Sequence, residues 1–281
     1  MSILSTSQEK QTVIKRGIIS MARDGSQPNE RGGGGKPTRP CPPGTLYVVC
    51  TPIGHPDDIT LRALATLRRV TIIASEDPRM TQMLLAHHGI TAIITSYGPS
   101  NRHEKVRLLL QRLIQGQEVA LVSDNGSPVI YDPGSLLVTA AHQTGIPVKS
   151  IPGPSAITAT TAISGFSGDA IIFEGRLPST GPRLTQYLSR LRKERRTLVC
   201  YVRPKALTGF LKALTQILPS RQIAIAVNLT TNEETLSRGK PAELLNQIEP
   251  ISNESAVTVV IEGYGPGSHN YSFSRRRMST R

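Results

Sequence analysis

Apolar residues along the chain alternate between short continuous blocks and longer stretches where they recur every three or four positions. Residues 45–50 form the first β-rich block. Ile59, Leu61, Leu64, Leu67 and Val70 then mark the apolar side of a helix running to Arg69, with Asp57 or Asp58 as its cap. A strand is expected over 71–75, a helix from Pro78 to about His88, and a third strand over 92–96. Residues 101–115 are strongly helical, with Val106, Leu109, Leu110, Leu113 and Ile114 on one face. Blocks at 119–123 and 147–151 predict two more strands, the first followed by a helix over 135–144, the second by a small-residue helix ending near Gly165.

From Gly168 the rhythm restarts. Strands are expected at 170–174, 197–201, 223–227, 235–238 and 256–262. Helices are expected at 181–194, 204–218 and 241–248. Strands alternating with helices at this spacing predict an α/β protein with a mainly parallel, doubly wound N-terminal sheet and a second α/β domain of mixed pairing. The expected organisation is a basic, Gly- and Pro-rich disordered extension over 1–43, α/β domains over 44–166 and 167–263, and a basic tail over 264–281.

The 38% of apolar residues suffices for a core, while the absence of Trp and the 4% of aromatics argue against base stacking as the main binding device. No apolar run approaches the roughly 18 residues of a membrane span, and no secretory signal is expected at the N-terminus. Cys41, Cys50 and Cys200 are an odd number without Cys-x-x-Cys spacing, which fits a reducing cytoplasm rather than a disulfide framework or a zinc site. Of the net charge of +13, the segments 1–43 and 264–281 carry +4 each. Such ends suit a nucleic-acid backbone or simple solubility equally well.

Residues 121–134 carry the densest chemistry. A strand end runs into Asp124, then Gly126 and Pro128, then the Asp132-Pro133-Gly134 turn. Gly126 and Gly134 permit positive φ, and ligands of open α/β sheets bind where strands end in such loops. Asp132 reads as a helix cap rather than a catalyst. Asp77 equally reads as the cap of the helix at Pro78, with Arg79 paired to Glu76. Cys50 beside the next loop reads as a small buried thiol. His103 and Glu104 read as a solvated helix start, and His87 and His88 lack partners at ligand spacing, so no metal site is expected.

Three loops together carry a resemblance. They are Thr51-Pro52-Ile53-Gly54 with 58–64, 123–128 with 132–134, and Ile151-Pro152-Gly153-Pro154-Ser155-Ala156, followed by 173–178. In that order they resemble the ribosomal RNA small-subunit methyltransferase I family of the tetrapyrrole methylase superfamily over roughly 44–263. The resemblance implies two α/β domains with S-adenosylmethionine in the cleft between them, in a homodimer. It also implies ribose 2′-O-methylation of a cytidine in 16S ribosomal RNA, in the cytoplasm. Carried across, Asp124, Gly126, Ser127, Pro128 and Val129 line one side of the cofactor, Ser155 and Ala156 another, and Pro52, Ile53 and Gly54 bound the opening. Glu76 or Asp77 would stand near the nucleophile, and Arg79 on a phosphate.

The chain departs from the family pattern at His55 and Asp57, where Asn and Gly are usual, and at Pro78 and Met80. Polar family residues are also replaced at Gly98, Val202, Val227 and Asn228, whereas the cofactor loops are largely kept. Two rivals follow from this pattern. One is a methyltransferase of the same fold acting on a small molecule or tetrapyrrole; the other is a non-catalytic RNA-binding relic.

Overall fold

A computed structural model describes residues 42–178, 181–248 and 250–265. The expectations for 1–41 and 266–281, including Cys41 and most of both charged ends, lie outside the described residues.

The first sheet is parallel throughout, in the order β3-β2-β4-β1-β5. Its strands are β1 (Leu46–Val49), β2 (Ile72–Ser75), β3 (Ile94–Ser96), β4 (Val119–Val122) and β5 (Val148–Ile151). They are joined by helices α1 (Leu61–Arg69), α2 (Pro78–His87), α3 (Arg102–Ile114) and α4 (Ser135–Gln143). Successive strand residues point to opposite faces, so β4 feeds two cores. Val119 and Leu121 pack with Leu109, Leu113 and Leu137 from α3 and α4. Ala120 and Val122 pack with Ala63, Leu67 and Leu85 from α1 and α2. Burial on both faces explains why β4 reads as a continuous apolar run.

Helix α5 (Ala156–Ser164) leaves β5 and carries the chain to the second sheet. Ile157 from α5 packs with Val199, Ala224 and Val260 of that sheet. The expected boundary at 166–167 therefore follows a helix that already covers the second sheet. This sheet comprises β6 (Ile171–Arg176), β7 (Thr197–Val202), β8 (Ile223–Val227), β9 (Thr235–Gly239) and β10 (Val257–Ile261), in the order β6-β7-β10-β8-β9. Only the β6–β7 pair is parallel among these described pairings. Its other face is covered by α6 (Gly181–Arg190), α7 (Leu207–Ile217) and α8 (Pro241–Gln247), through Leu184, Leu188, Phe210, Leu214 and Leu244.

Three local expectations need correction. Asp57 and Asp58 sit in a separate 3-10 turn, Pro56–Asp58, and α1 is capped by Thr60, whose Oγ1 accepts from the Ala63 N–H at 3.1 Å. With the start moved, Leu61 falls on the outer side and is 85% exposed. Ile114 is likewise exposed, since the inward stripe of α3 ends at Leu113, and α6 stops at Arg190 rather than Glu194.

Candidate cofactor cleft

Loops from the carboxyl ends of β1 and β4 clasp each other. The Thr51 N–H donates to the Gly126 carbonyl at 2.9 Å, and the Gly126 N–H returns a bond to the Thr51 carbonyl at 3.2 Å. Thr51 Oγ1 donates to the Ser123 carbonyl at 3.0 Å and Ser123 Oγ to that of Gly126 at 2.9 Å. Gly126 holds φ 83°, as expected for its place in the turn. Pro52 and Pro128 are buried, while Ile53, Ser127 and Val129 keep partial access to solvent. The β5 loop closes the same end: Cys50 is buried, and a Cβ on Gly153 would stand 2.9 Å from the Cys50 Cβ.

Carboxylates collect beside this clasp. Asp77 caps α2, its Oδ1 accepting from the Arg79 and Met80 N–H groups at 2.9 and 3.3 Å. Its own N–H donates to Asp124 Oδ1 at 3.0 Å. Burial raises the Glu76 carboxyl above its ordinary range, and the charge of Asp124 adds to this. Asp124 is raised by burial, opposed by the bond from the Asp77 N–H. Asp132 moves furthest, to about 6, first through burial and then through repulsion from Glu76 and Asp124. Its expected role as a cap is corrected here. Gly134, at φ 145°, precedes α4, and no side chain caps that helix.

Glu76 and Asp132 face a cavity of about 260 Å³ that Tyr97, Arg102 and Tyr131 also line. Tyr97 is 1% exposed, and its hydroxyl lacks a hydrogen-bond partner of standard geometry; burial raises its pKa, and the Leu137 backbone opposes this. Gly98, at one of the departures from the family pattern, is buried with its Cβ position 3.8 Å from Glu76 Cγ, so the small residue leaves that acid unobstructed.

The second sheet completes the wall. Tyr131 meets Tyr201 edge-on at 5.9 Å, and the Arg176 guanidinium lies 5.2 Å from the Tyr131 ring centre. Across the opening, Gly54 approaches so closely that a Cβ there would stand 2.2 Å from the Leu229 carbonyl oxygen. The His55 N–H donates to Thr230 Oγ1 at 2.8 Å. Val129 and Tyr131 in the loop after β4, and Asn228 and Thr230 in the loop after β8, are the four non-glycine residues with positive φ among those described. Side chains resist that conformation, so it persists only where surroundings impose it.

Of the residues expected from sequence, the structure brings Glu76, Asp77 and Asp124 together and sets Ile53 against Gly126, while Gly54 packs on Leu229. Arg79 is exposed on the first turn of α2 and forms no ion pair with Glu76 among the described residues. Ser155 precedes α5 without a side-chain cap, which leaves the first-turn N–H groups of that helix open toward Ala156. Tyr97, Arg102, Tyr131 and Tyr201 were absent from the expectation. Nothing in their spacing signals the site, because three separate segments supply them, and Tyr201 reaches it through its contact with Tyr131.

Sequence comparison adds the family. The family model described as Tetrapyrrole (Corrin/Porphyrin) Methylases matches residues 45–245. The chain belongs to this family. Ribosomal RNA small subunit methyltransferase I of Thermotoga maritima is 40% identical over 220 residues, spanning 78% of this chain and 99% of that protein. Its namesake from Escherichia coli O157:H7 is 37% identical over 224 residues, spanning 79% and 78%. Among solved structures, diphthine synthase shares the fold with a TM-score of 0.61 at 15% identity, covering 78% of this chain and 89% of that one. A uroporphyrin-III C-methyltransferase from Thermus thermophilus, complexed with S-adenosylhomocysteine, gives 0.54 at 20% identity, covering 78% and 97%.

This tetrapyrrole methylase is a methyltransferase whose cofactor is S-adenosylmethionine. The cleft has the donor set such a molecule needs. Uncapped N–H groups at the start of α5 suit a carboxylate, the part-buried carboxylates suit a cationic sulfonium, and the mutually bonded Thr51–Gly126 clasp fixes the loops that would flank a nucleoside.

Proposed function

We propose that this methyltransferase modifies a ribose 2′-oxygen of a cytidine in 16S ribosomal RNA, as a cytoplasmic homodimer. The observation that carries the reading is the acid-lined cavity beside the cofactor loops, in a chain whose relatives bear the name of a ribosomal RNA methyltransferase. Asp124, Gly126, Ser127, Pro128 and Val129 would hold one side of the cofactor, Ser155 and Ala156 the other, and Pro52, Ile53 and Gly54 the opening. The cofactor supplies an electrophilic methyl group on a sulfonium.

A ribose hydroxyl is a weak nucleophile, so a base that takes its proton as the O–C bond forms accelerates transfer. Asp132 is suited to that duty: with a value near 6 it is ionised at neutral pH yet more basic than an ordinary carboxylate. Glu76, across the same cavity, keeps Asp132 basic through its charge and orients the hydroxyl. Asp77 acts from behind, holding Asp124, while Arg79 on the outer turn of α2 meets a phosphate of the RNA. The remaining catalysis is positioning, as in any in-line displacement between bound partners.

The test is transfer of labelled methyl groups from S-adenosylmethionine to small ribosomal subunits lacking the modification, with mapping of the labelled nucleotide. Label on a ribose of the small-subunit RNA, lost with Asp132→Asn, supports the reading. Label on a tetrapyrrole or other small molecule instead, or cofactor binding without any transfer, would favour one of the rivals.

A further inference from the structure

Away from the cleft, the fold joins three metal-ligating side chains that the sequence keeps apart. His87 ends α2, His88 follows as its C-cap, and Asp57 lies in the Pro56–Asp58 turn. One potential ligand atom from each lies within 4.8 Å of the others. We propose that Asp57, His87 and His88 form a binding site for one divalent transition-metal ion of the zinc type. This corrects the expectation that the two histidines lack ligand partners: the partner comes from a segment 30 residues earlier, brought in by the packing of α1 and α2.

The local bonds prepare the donors. His87 Nε2 is 2.9 Å from Asp57 Oδ1, so carboxylate and imidazole already converge. His88 Nε2 is 3.1 Å from the Pro56 carbonyl oxygen. A carbonyl only accepts, so Nε2 carries the hydrogen and Nδ1 keeps the lone pair that a metal requires. The two rings stand edge to face at 4.8 Å, which keeps them adjacent without stacking them shut. His55 lies beside the trio, but its Nδ1 accepts from the Asp57 N–H at 3.2 Å and caps the turn, so it is not counted among the ligands.

Donor chemistry selects the ion. Two imidazoles and a carboxylate suit zinc, cobalt, nickel or copper, whereas magnesium and calcium favour all-oxygen sets. Metal–ligand distances near 2.0–2.1 Å place donors roughly 3.3 Å apart; Asp57 and His87 already meet at 2.9 Å, and no other pair need close by more than about 1.5 Å. Asp57 and His87 are exposed, and side-chain rotation provides that movement. Three protein ligands leave a coordination position for water. Two departures from the family pattern, His55 and Asp57, fall on this turn. The turn also follows Gly54, which packs on Leu229. A bound ion would therefore tie the end of α2 to the loop bounding the cleft.

The test is a titration of the tag-free full chain with Zn²⁺ against a chromophoric chelator, repeated with Co²⁺ to read its absorption bands. One ion per chain at micromolar affinity or tighter is expected. His87→Ala, His88→Ala and the nearly isosteric Asp57→Asn should each weaken binding by more than about tenfold, the lower bound for losing even an outer-shell partner. His103→Ala, His142→Ala and His269→Ala should leave it unchanged. Affinity weaker than millimolar, or affinity insensitive to all three ligand substitutions, would overturn the site, as would a loss produced only by His269→Ala. Circular dichroism of each variant separates lost ligands from lost fold.

Discussion

The backbone N–H of Asp77 donates to Oδ1 of Asp124 at 3.0 Å, joining the loop after β2 to the loop after β4. The two acids thus have different duties. Asp77 spends its carboxylate on the start of α2, and Asp124 presents the remainder of its carboxylate to the cleft.

Separate substitutions should divide these duties. Asp77→Ala removes a helix cap and should cost about 1 kcal/mol of stability. Asp124→Ala should instead weaken S-adenosylmethionine binding at least tenfold, read by calorimetric titration of folded protein. Equal effects of both variants on affinity would show that the pair acts as one unit.

Asp132 makes the pH dependence specific. Its folded value of about 6 exceeds the ordinary 3.8, so the folded chain holds this proton more tightly than the unfolded chain. The associated stability is full below about pH 4, falls as pH rises through 6, and stays lost above. Asp132→Asn should therefore stabilise the protein at pH 7.5 and leave it unchanged near pH 4, the gain being reduced by the partial solvent exposure of the site. Denaturant midpoints at the two pH values measure this, and a gain independent of pH would contradict it. Methyl transfer by the unaltered protein should rise through pH 6 as the base ionises.

Gly54→Ala should force the opening loop away from Leu229, because the new methyl would meet a carbonyl oxygen at 2.2 Å. Overpacking of this kind costs about 1–3 kcal/mol, visible as a lower melting temperature. An unshifted melting curve would mean that the two loops part without cost.

Tyr97→Phe removes a hydroxyl that has no standard partner. Its stability should be equal to or slightly above that of the unaltered protein, since no hydrogen bond is given up and a buried polar group is relieved. A loss above about 1 kcal/mol would reveal a partner for the hydroxyl, such as the Leu137 N–H.

Most elements were legible because burial imposes periods that sequence displays. The unbroken apolar run of β4 and the Val106, Leu109, Leu110, Leu113 stripe of α3 are direct imprints of their cores. Boundaries were less legible, since Asp58 and Thr60 are both good caps and only backbone geometry selects Thr60. The loops of the cleft were visible through Gly126, Gly134 and the prolines. The raised value of Asp132 was not, because it arises first from burial and then from Glu76, just after β2, and Asp124, earlier in its own loop. The convergence of Asp57 on His87 was hidden for the same reason: helix packing creates it, and no spacing records it.

Val129, Tyr131, Asn228 and Thr230 hold positive φ without being glycine, at an expense on the order of 1–3 kcal/mol each. For anyone engineering a hardier version of this enzyme, these four positions are a reserve. Replacing one with glycine would relax the chain and raise heat tolerance, while surrendering its side chain, which at Tyr131 lines the pocket. Selection for a tougher protein and selection for a faithful one would therefore pull these loops in opposite directions.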